Sequence, residues 1–84
     1  MATMTDYNTN EPIIHKLQPD TRLARIRKMA GLSQDELAKK AGVSIETICS
    51  YEQRKRDISK AQYRIVRQIA KALGCIADDI VEDE

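Results

Sequence analysis

The sequence has 84 residues and contains neither tryptophan nor phenylalanine, so three tyrosines are its only large aromatic side chains. A hydrophobic core made from this chain is therefore largely aliphatic, and a chain of this length buries only about 60% of its unfolded surface. Proline occurs only at Pro12 and Pro19, so no proline interrupts a helix in the rest of the chain. We expect one small, mainly helical domain.

No apolar run approaches the about 20 residues that span a membrane, and the polar start MATMTDYNTNEP does not have the pattern of a signal peptide. We expect a cytoplasmic protein without membrane contact. Cys49 and Cys75 are expected to be reduced, small apolar side chains, and with His15 as the only histidine no metal site is expected. Because the sequence also lacks a phosphate loop and a nucleophile with a matching base, we expect no cofactor and no enzyme.

Negative charge is scarce in the middle of the chain. Residues 20–74 contain thirteen lysines and arginines against six acids, a net charge of +7, whereas residues 75–84 contain five acids and no base. A basic body with an acidic end suggests a polyanionic partner for the body, although charge-rich helices can equally serve solubility.

The apolar pattern divides the chain into a tail and a domain. Residues 1–18 are polar and aperiodic and predict a flexible N-terminal tail, residues 19–81 predict one folded domain, and residues 82–84 form an acidic end. In the domain, apolar residues recur at steps of three and four, which predicts an all-α fold of five short helices. The first helix is predicted over residues 19–30, with Pro19 in its first turn. The second begins at a Ser33–Glu36 capping box and ends at Gly42, and the third covers residues 45–54. The fourth begins at a Ser59–Gln62 capping box and ends at Gly74, and the fifth covers residues 77–81.

The second and third predicted helices are separated by a very short turn at Gly42. Such a turn makes the helices cross steeply, and a small residue is needed where they touch. Ala38 meets that need, Gly42 accommodates a positive φ, and Ile48 and Tyr51 can anchor the third helix in the core. Together they predict a helix-turn-helix; the matching positions are Leu37, Ala38, Gly42, Val43, Ile48 and Tyr51.

The segment RIRKMAGLSQDELAKKAGVSIETICSYEQ and the later IAKALG resemble the Cro/cI-type helix-turn-helix family, also called the Xre or lambda-repressor-like family. The resemblance covers residues 22–81. It implies a compact five-helix lambda-repressor-like DNA-binding domain whose third helix lies in the major groove. It also implies a function in transcriptional regulation.

The resemblance carries individual roles onto this sequence. It implies that Gln34 bonds a DNA phosphate at the start of the second helix, where free N–H groups and the helix dipole favour an anion. It implies a structural ion pair between Arg27 and Glu52. The positions that it turns toward the groove are Ser44, Ile45, Glu46, Thr47 and Ser50.

These positions differ in what they can contact. Ile45 can contact a thymine methyl group and Glu46 can accept from the amine of cytosine, or both can simply begin a helix. Arginine and glutamine, the usual base readers, are absent from this face, and the family often has glycine at position 54. The cluster Arg54, Lys55 and Arg56 is expected to contact phosphates, the alternative being a solvated loop.

We expect a sequence-specific regulator of transcription that binds double-stranded DNA, acts as a repressor, and forms a homodimer with half-sites about 34 Å apart. The family usually has a serine cap where this chain has Ile76. We therefore expect Ile76, Ile80 and Val81 to be partly exposed and available to the dimer. The alternative is a protein-interaction module, such as the antitoxin of a toxin–antitoxin system, that binds a partner protein and represses its own operon.

Overall fold

The computed structural model describes residues 19–82. Within this range the chain forms five α-helices and no strand: α1 (Arg22–Met29), α2 (Gln34–Ala41), α3 (Ile45–Glu52), α4 (Tyr63–Leu73) and α5 (Ala77–Ile80), with a 3₁₀ turn at Ile58–Lys60. The prediction of an all-α, five-helix fold is confirmed. None of the described helices is long and apolar enough to cross a membrane.

The predicted domain boundaries depend partly on residues that the structure does not describe. The tail predicted for residues 1–18 lies outside the described range, as do Asp83 and Glu84 of the predicted acidic end. The division into tail, domain and acidic end therefore stays a prediction.

The core is mainly aliphatic, and every helix contributes one large, fully buried side chain to it. These are Leu23, Leu37, Ile48, Ile69 and Ile80, from α1 to α5 in order. The helix α2 packs on α3 and α4, α4 packs on α5, and α1 closes the bundle against α3 and α5. Because burial of a leucine or isoleucine stabilises by about 1.5–3 kcal/mol, each short helix depends on the core and not on its own length.

The predicted start of the first helix at Pro19 is wrong. The hydroxyl of Thr21 accepts a hydrogen bond from the backbone N–H of Ala24 at 3.0 Å, so Thr21 is the N-cap and α1 begins at Arg22. A threonine in this position satisfies one of the free donors at the helix start, which proline cannot do with its own side chain. Pro19 therefore lies before the helix.

The predicted ends around the third and fourth helices are also shifted. The helix α3 ends at Glu52, because Arg54 adopts a left-handed backbone with φ of 61° that no α-helix continues. The predicted capping box of Ser59 and Gln62 is absent. Instead, the N–H and the hydroxyl of Ser59 both donate to the carboxylate of Asp57, at 2.9 and 2.7 Å. These two bonds lower the pKa of Asp57 and form the 3₁₀ turn, so α4 begins only at Tyr63.

The fifth helix packs better than its sequence suggests. Ile76 is 64% exposed and Val81 is half-buried, but Ile80 is completely buried, so the expected exposure of Ile80 is wrong. The missing serine cap is replaced by Asp79, whose carboxylate accepts from the backbone N–H of Ile76 at 3.2 Å. This bond starts the helix at a turn that lets Ile80 reach the core.

We expect Ile80→Ala to destabilise the domain by about 2–5 kcal/mol, the range for opening a cavity at a buried isoleucine. Urea unfolding followed by circular dichroism measures this difference. Met29→Ala, at a position that is exposed, is the control and should change the free energy of unfolding by less than about 0.5 kcal/mol. Equal effects of the two variants would show that α5 is not packed on the core.

Candidate nucleic-acid interface

The turn between α2 and α3 is built by hydrogen bonds to one carbonyl. Gly42 has φ of 76°, a left-handed conformation that glycine adopts without strain, and its N–H donates to the carbonyl of Ala38 at 2.9 Å. The N–H of Val43 donates to the same carbonyl at 3.0 Å. The next residue, Ser44, already caps α3 by accepting from the N–H of Thr47 at 3.1 Å. Two helices joined this closely cross each other and expose the start of the second helix.

The helix α3 has distinct inner and outer faces. Ile48 and Tyr51 are buried in the core. On the outer face, Glu46 is exposed and Ile45 is 41% exposed. Other residues predicted for the groove are less free: Thr47 and Ser50 are half-buried, and the hydroxyls of Ser44 and Thr47 lie 2.8 Å apart in a shared hydrogen bond.

The rotation of α3 is fixed by a buried ion pair with α1. The Nε of Arg27 lies 2.7 Å from Oε2 of Glu52, and Nη2 lies 3.0 Å from Oε1. The remaining Nη1 of Arg27 donates to the carbonyl of Leu32 at 2.8 Å. The hydrogen bond to Glu52 is the main reason why the pKa of Arg27 is raised, so the guanidinium stays charged although it is buried.

Gln34 belongs to the same network. Its Nε2 donates to Oε1 of Glu52 at 2.9 Å, and its Oε1 accepts from the thiol of Cys49 at 3.3 Å. The side chain that the family resemblance assigns to a phosphate is thus turned toward α3 in the free protein. At the start of α2 the hydroxyl of Ser33 accepts from the backbone N–H of Glu36 at 3.0 Å, whereas the first two N–H groups of the helix have no intrahelical partner.

The loop after α3 carries three bases with different surroundings. Arg54 donates to the carbonyl of Pro19 at 3.2 Å, and its Nη2 lies 3.5 Å from a carboxylate oxygen of Glu82. Arg56 lies over the ring of Tyr51, 5.0 Å from its centre. Lys55 is exposed, and its backbone N–H donates to the carbonyl of Ser50 at 2.9 Å. The loop therefore directs one base toward the start of α1 and holds another beside α3.

A cleft of about 420 Å³ lies between the start of α3 and the start of α4. Ser44 and Thr47 line it on one side, and Arg56, Lys60 and Gln62 on the other. The start of α4 has neither a side-chain cap nor an acid in its first turn. Two helix starts and two cations on one cleft favour an anion there.

Lys60 and Gln62 are not among the DNA-binding residues predicted from the sequence, because the predicted capping box places Gln62 at a helix start and no pattern singles out Lys60. The signal that could have found them is the sequence DISKAQYR. It contains Asp57 two residues before Ser59, the spacing of a side chain that bonds its own turn, and so leaves the next helix uncapped.

In the described part of the chain, no group of three or more His, Cys, Asp or Glu side chains could hold a metal ion. Cys49 and Cys75 are both free and half-buried, and burial raises the pKa of the Cys75 thiol. The outer face of α3, the helix starts and the cations of the loop and the cleft together suit binding of a polyanion.

A comparison with families of known proteins matches residues 23–79 to the family described as helix-turn-helix. The match covers all five helices except the first residue of α1 and the last of α5. No match was found among curated proteins or among solved structures.

We expect Glu52→Gln to destabilise the domain by about 3 kcal/mol, since it leaves the buried guanidinium of Arg27 without a counter-charge. Urea unfolding measures the loss. The double variant Arg27→Met with Glu52→Leu removes both charges and should recover more than half of the lost stability. A double variant as unstable as Glu52→Gln would contradict a dominant cost of the unpaired charge.

Proposed function

This chain belongs to the Cro/cI-type helix-turn-helix family of DNA-binding transcriptional regulators, and from that membership we propose that it is a sequence-specific repressor that reads the major groove of double-stranded DNA with α3. The observation that carries the proposal is the division of α3 into a firmly anchored inner face and an outer face with an exposed isoleucine. A repressor of this kind acts by occupying its site, so it needs a rigid reading helix more than any chemistry.

Base reading is assigned to the outer face of α3. Ile45 is available for the methyl group of thymine, and Glu46 for the exocyclic amine of cytosine. Ser44, Thr47 and Ser50 have short polar side chains that suit contacts with bases or with the adjacent backbone. The internal hydrogen bonds of Ser44 and Thr47 support a positioning contribution from these two residues, because the hydroxyl of Ser44 caps α3 and the hydroxyl of Thr47 is hydrogen-bonded to it.

Phosphate contacts are assigned to the helix starts and to the loop after α3. Lys55 and Arg56 of the loop are proposed to bind the DNA backbone, with Lys60 at the cleft between α3 and α4. Gln34 is proposed to contact a phosphate at the start of α2, which requires its amide to turn away from Glu52. Arg54 is proposed to contribute less to phosphate binding than Lys55 and Arg56, since its side chain already contacts Pro19 and Glu82 in the free protein.

A homodimer is part of this proposal, because two copies related by a two-fold axis read a palindromic site. Support comes from Ile76, a large apolar side chain that is mostly exposed at the start of α5. This end of the domain is joined to the core by the buried Ile80, so a dimer formed there would hold both α3 helices in a fixed relation.

Selection from a pool of randomised duplexes, followed by sequencing at two salt concentrations, tests the proposal. We expect enrichment of a palindrome whose half-sites lie about one helical turn apart. Glu46→Ala should then lower discrimination at one base pair by about 1–3 kcal/mol. No enrichment, with binding that disappears as salt rises, would contradict base reading; capture of a small partner protein would then favour an antitoxin-like interaction module.

We expect Arg56→Gln to weaken binding about equally to all duplexes and to reduce the slope of log K against log salt by about 0.9, the loss of one phosphate contact. Fluorescence anisotropy with an enriched and a scrambled duplex measures both quantities. Lys71→Gln removes the same charge in the last turn of α4, at the far end of that helix from the cleft, and should change the slope little. Equal slopes for the two variants would exclude a specific phosphate contact of Arg56.

A further inference from the structure

Glu82 connects the segment after α5 to the start of α1. Its Oε2 accepts a hydrogen bond from the backbone N–H of Arg22 at 2.9 Å. No acid lies in the first turn of α1, so Glu82 brings to that helix start the negative charge that a helix N-terminus favours. Its other oxygen, Oε1, is the atom 3.5 Å from the guanidinium of Arg54. One carboxylate is therefore shared between α1 and the loop after α3.

Arg54 differs from the other two bases of its loop in where its side chain lies. Its left-handed backbone accompanies a side chain that turns back toward Pro19 and Glu82. The neighbouring N–H groups of Lys55 and Arg56 both bond the carbonyl of Ser50, so the loop itself is held by α3. The side chain of Arg54 can consequently change partner while the loop keeps its path.

The contact between Arg54 and Glu82 is weak enough to be exchanged. The two side chains are 39% and 32% exposed, so water and salt screen their attraction. A hollow of about 230 Å³ borders both side chains, which gives the guanidinium room to leave without displacing a packed group. A phosphate carries a full charge and can accept two hydrogen bonds from one guanidinium, so it competes well with this carboxylate.

We propose that Glu82 competes with the phosphates of DNA for the guanidinium of Arg54. In the free protein Glu82 holds Arg54 away from the phosphate backbone, and it releases Arg54 when a duplex binds. The inference rests on the proposed function, since it concerns the affinity of the same interface. Its effect is to lower sequence-independent binding, because one of the three loop bases must exchange a carboxylate for a phosphate.

The test compares Glu82→Gln with Asp78→Asn, in the wild-type chain and in an Arg54→Gln background. Glu82→Gln removes the charge but keeps an oxygen that can accept from the N–H of Arg22, and the Arg22 guanidinium still donates to the carbonyl of Val81 at 3.2 Å. Asp78→Asn makes the same charge change at an exposed acid of α5. Anisotropy with a scrambled duplex over a range of salt concentrations gives Kd and the salt slope.

For Glu82→Gln we expect binding about two- to five-fold tighter at low salt and a salt slope steeper by up to about 0.9. Asp78→Asn should tighten binding by less than about 1.5-fold, since the carboxylate of Asp78 is exposed and its attraction for cations is screened by water and salt. In the Arg54→Gln background the effect of Glu82→Gln should vanish. Glu82→Asp keeps the charge and shortens its reach to Arg54, so it should also bind more tightly.

An effect of Glu82→Gln equal to that of Asp78→Asn, or one that persists without Arg54, would overturn the inference while leaving the proposed function intact. Weaker or unchanged binding by Glu82→Asp would also overturn the inference. This second variant keeps the inference testable if Glu82→Gln does not fold. If the wild-type chain binds no duplex under any salt condition, the proposed function fails and the inference fails with it.

Discussion

The ion pair between Arg27 and Glu52 is the interaction on which the other contacts of the domain depend. Moving each charge out of water costs about several kcal/mol, and removing one partner leaves the other as an uncompensated buried charge. The buried pair is tolerated because its polar atoms have hydrogen-bond partners. Glu52 accepts from Arg27 twice and from Gln34 once, and the last guanidinium nitrogen of Arg27 donates to the carbonyl of Leu32. Apolar side chains such as Ile48 could pack at several small rotations of α3. Glu52, at the last residue of that helix, selects one rotation and so decides which residues face outward.

A large part of this fold is predictable from sequence where one local signal has no competitor. Ser33 with Glu36, Gly42 and Ser44 each have a single short-range role, so α2 and the turn after it fall where the sequence predicts. The starts of α1 and α4 were misplaced because two residues competed, and Thr21 and Asp57 formed better hydrogen bonds than Pro19 and Ser59 could. The burial of Ile80 depends on its packing with distant parts of the chain, which periodicity in a four-residue helix cannot reveal.

In the candidate site, too, features set within one helix were predictable and contacts between distant parts of the chain were not. Helical spacing alone predicts that Glu46 lies opposite Ile48, because it requires only the geometry of one helix. The exposure of Ile45, one turn before Ile48, does not follow from spacing and is seen only in the structure. The destinations of long side chains were not predictable: Gln34 turns to Glu52 and Arg54 to Glu82, and both partners come from other helices or segments. Arg54 also occupies a left-handed backbone that costs a residue other than glycine about 1–2 kcal/mol, which its contacts with Pro19 and Glu82 offset in part. Affinity of this surface for any anion is therefore a difference between external and internal contacts, and not a sum of exposed charges.

The scarcity of aromatic residues has a consequence for optical spectroscopy. With no tryptophan or phenylalanine in the chain, its near-ultraviolet absorption comes mainly from tyrosine. Of the two tyrosines in the described range, Tyr51 is buried at the inner face of α3 with the guanidinium of Arg56 over its ring, whereas Tyr63 is mostly exposed at the start of α4. A buried ring in a fixed, asymmetric environment dominates near-ultraviolet dichroism, so that signal reports the seating of α3 in the bundle. The domain thus carries a chromophore at the helix that is held by the Arg27–Glu52 ion pair.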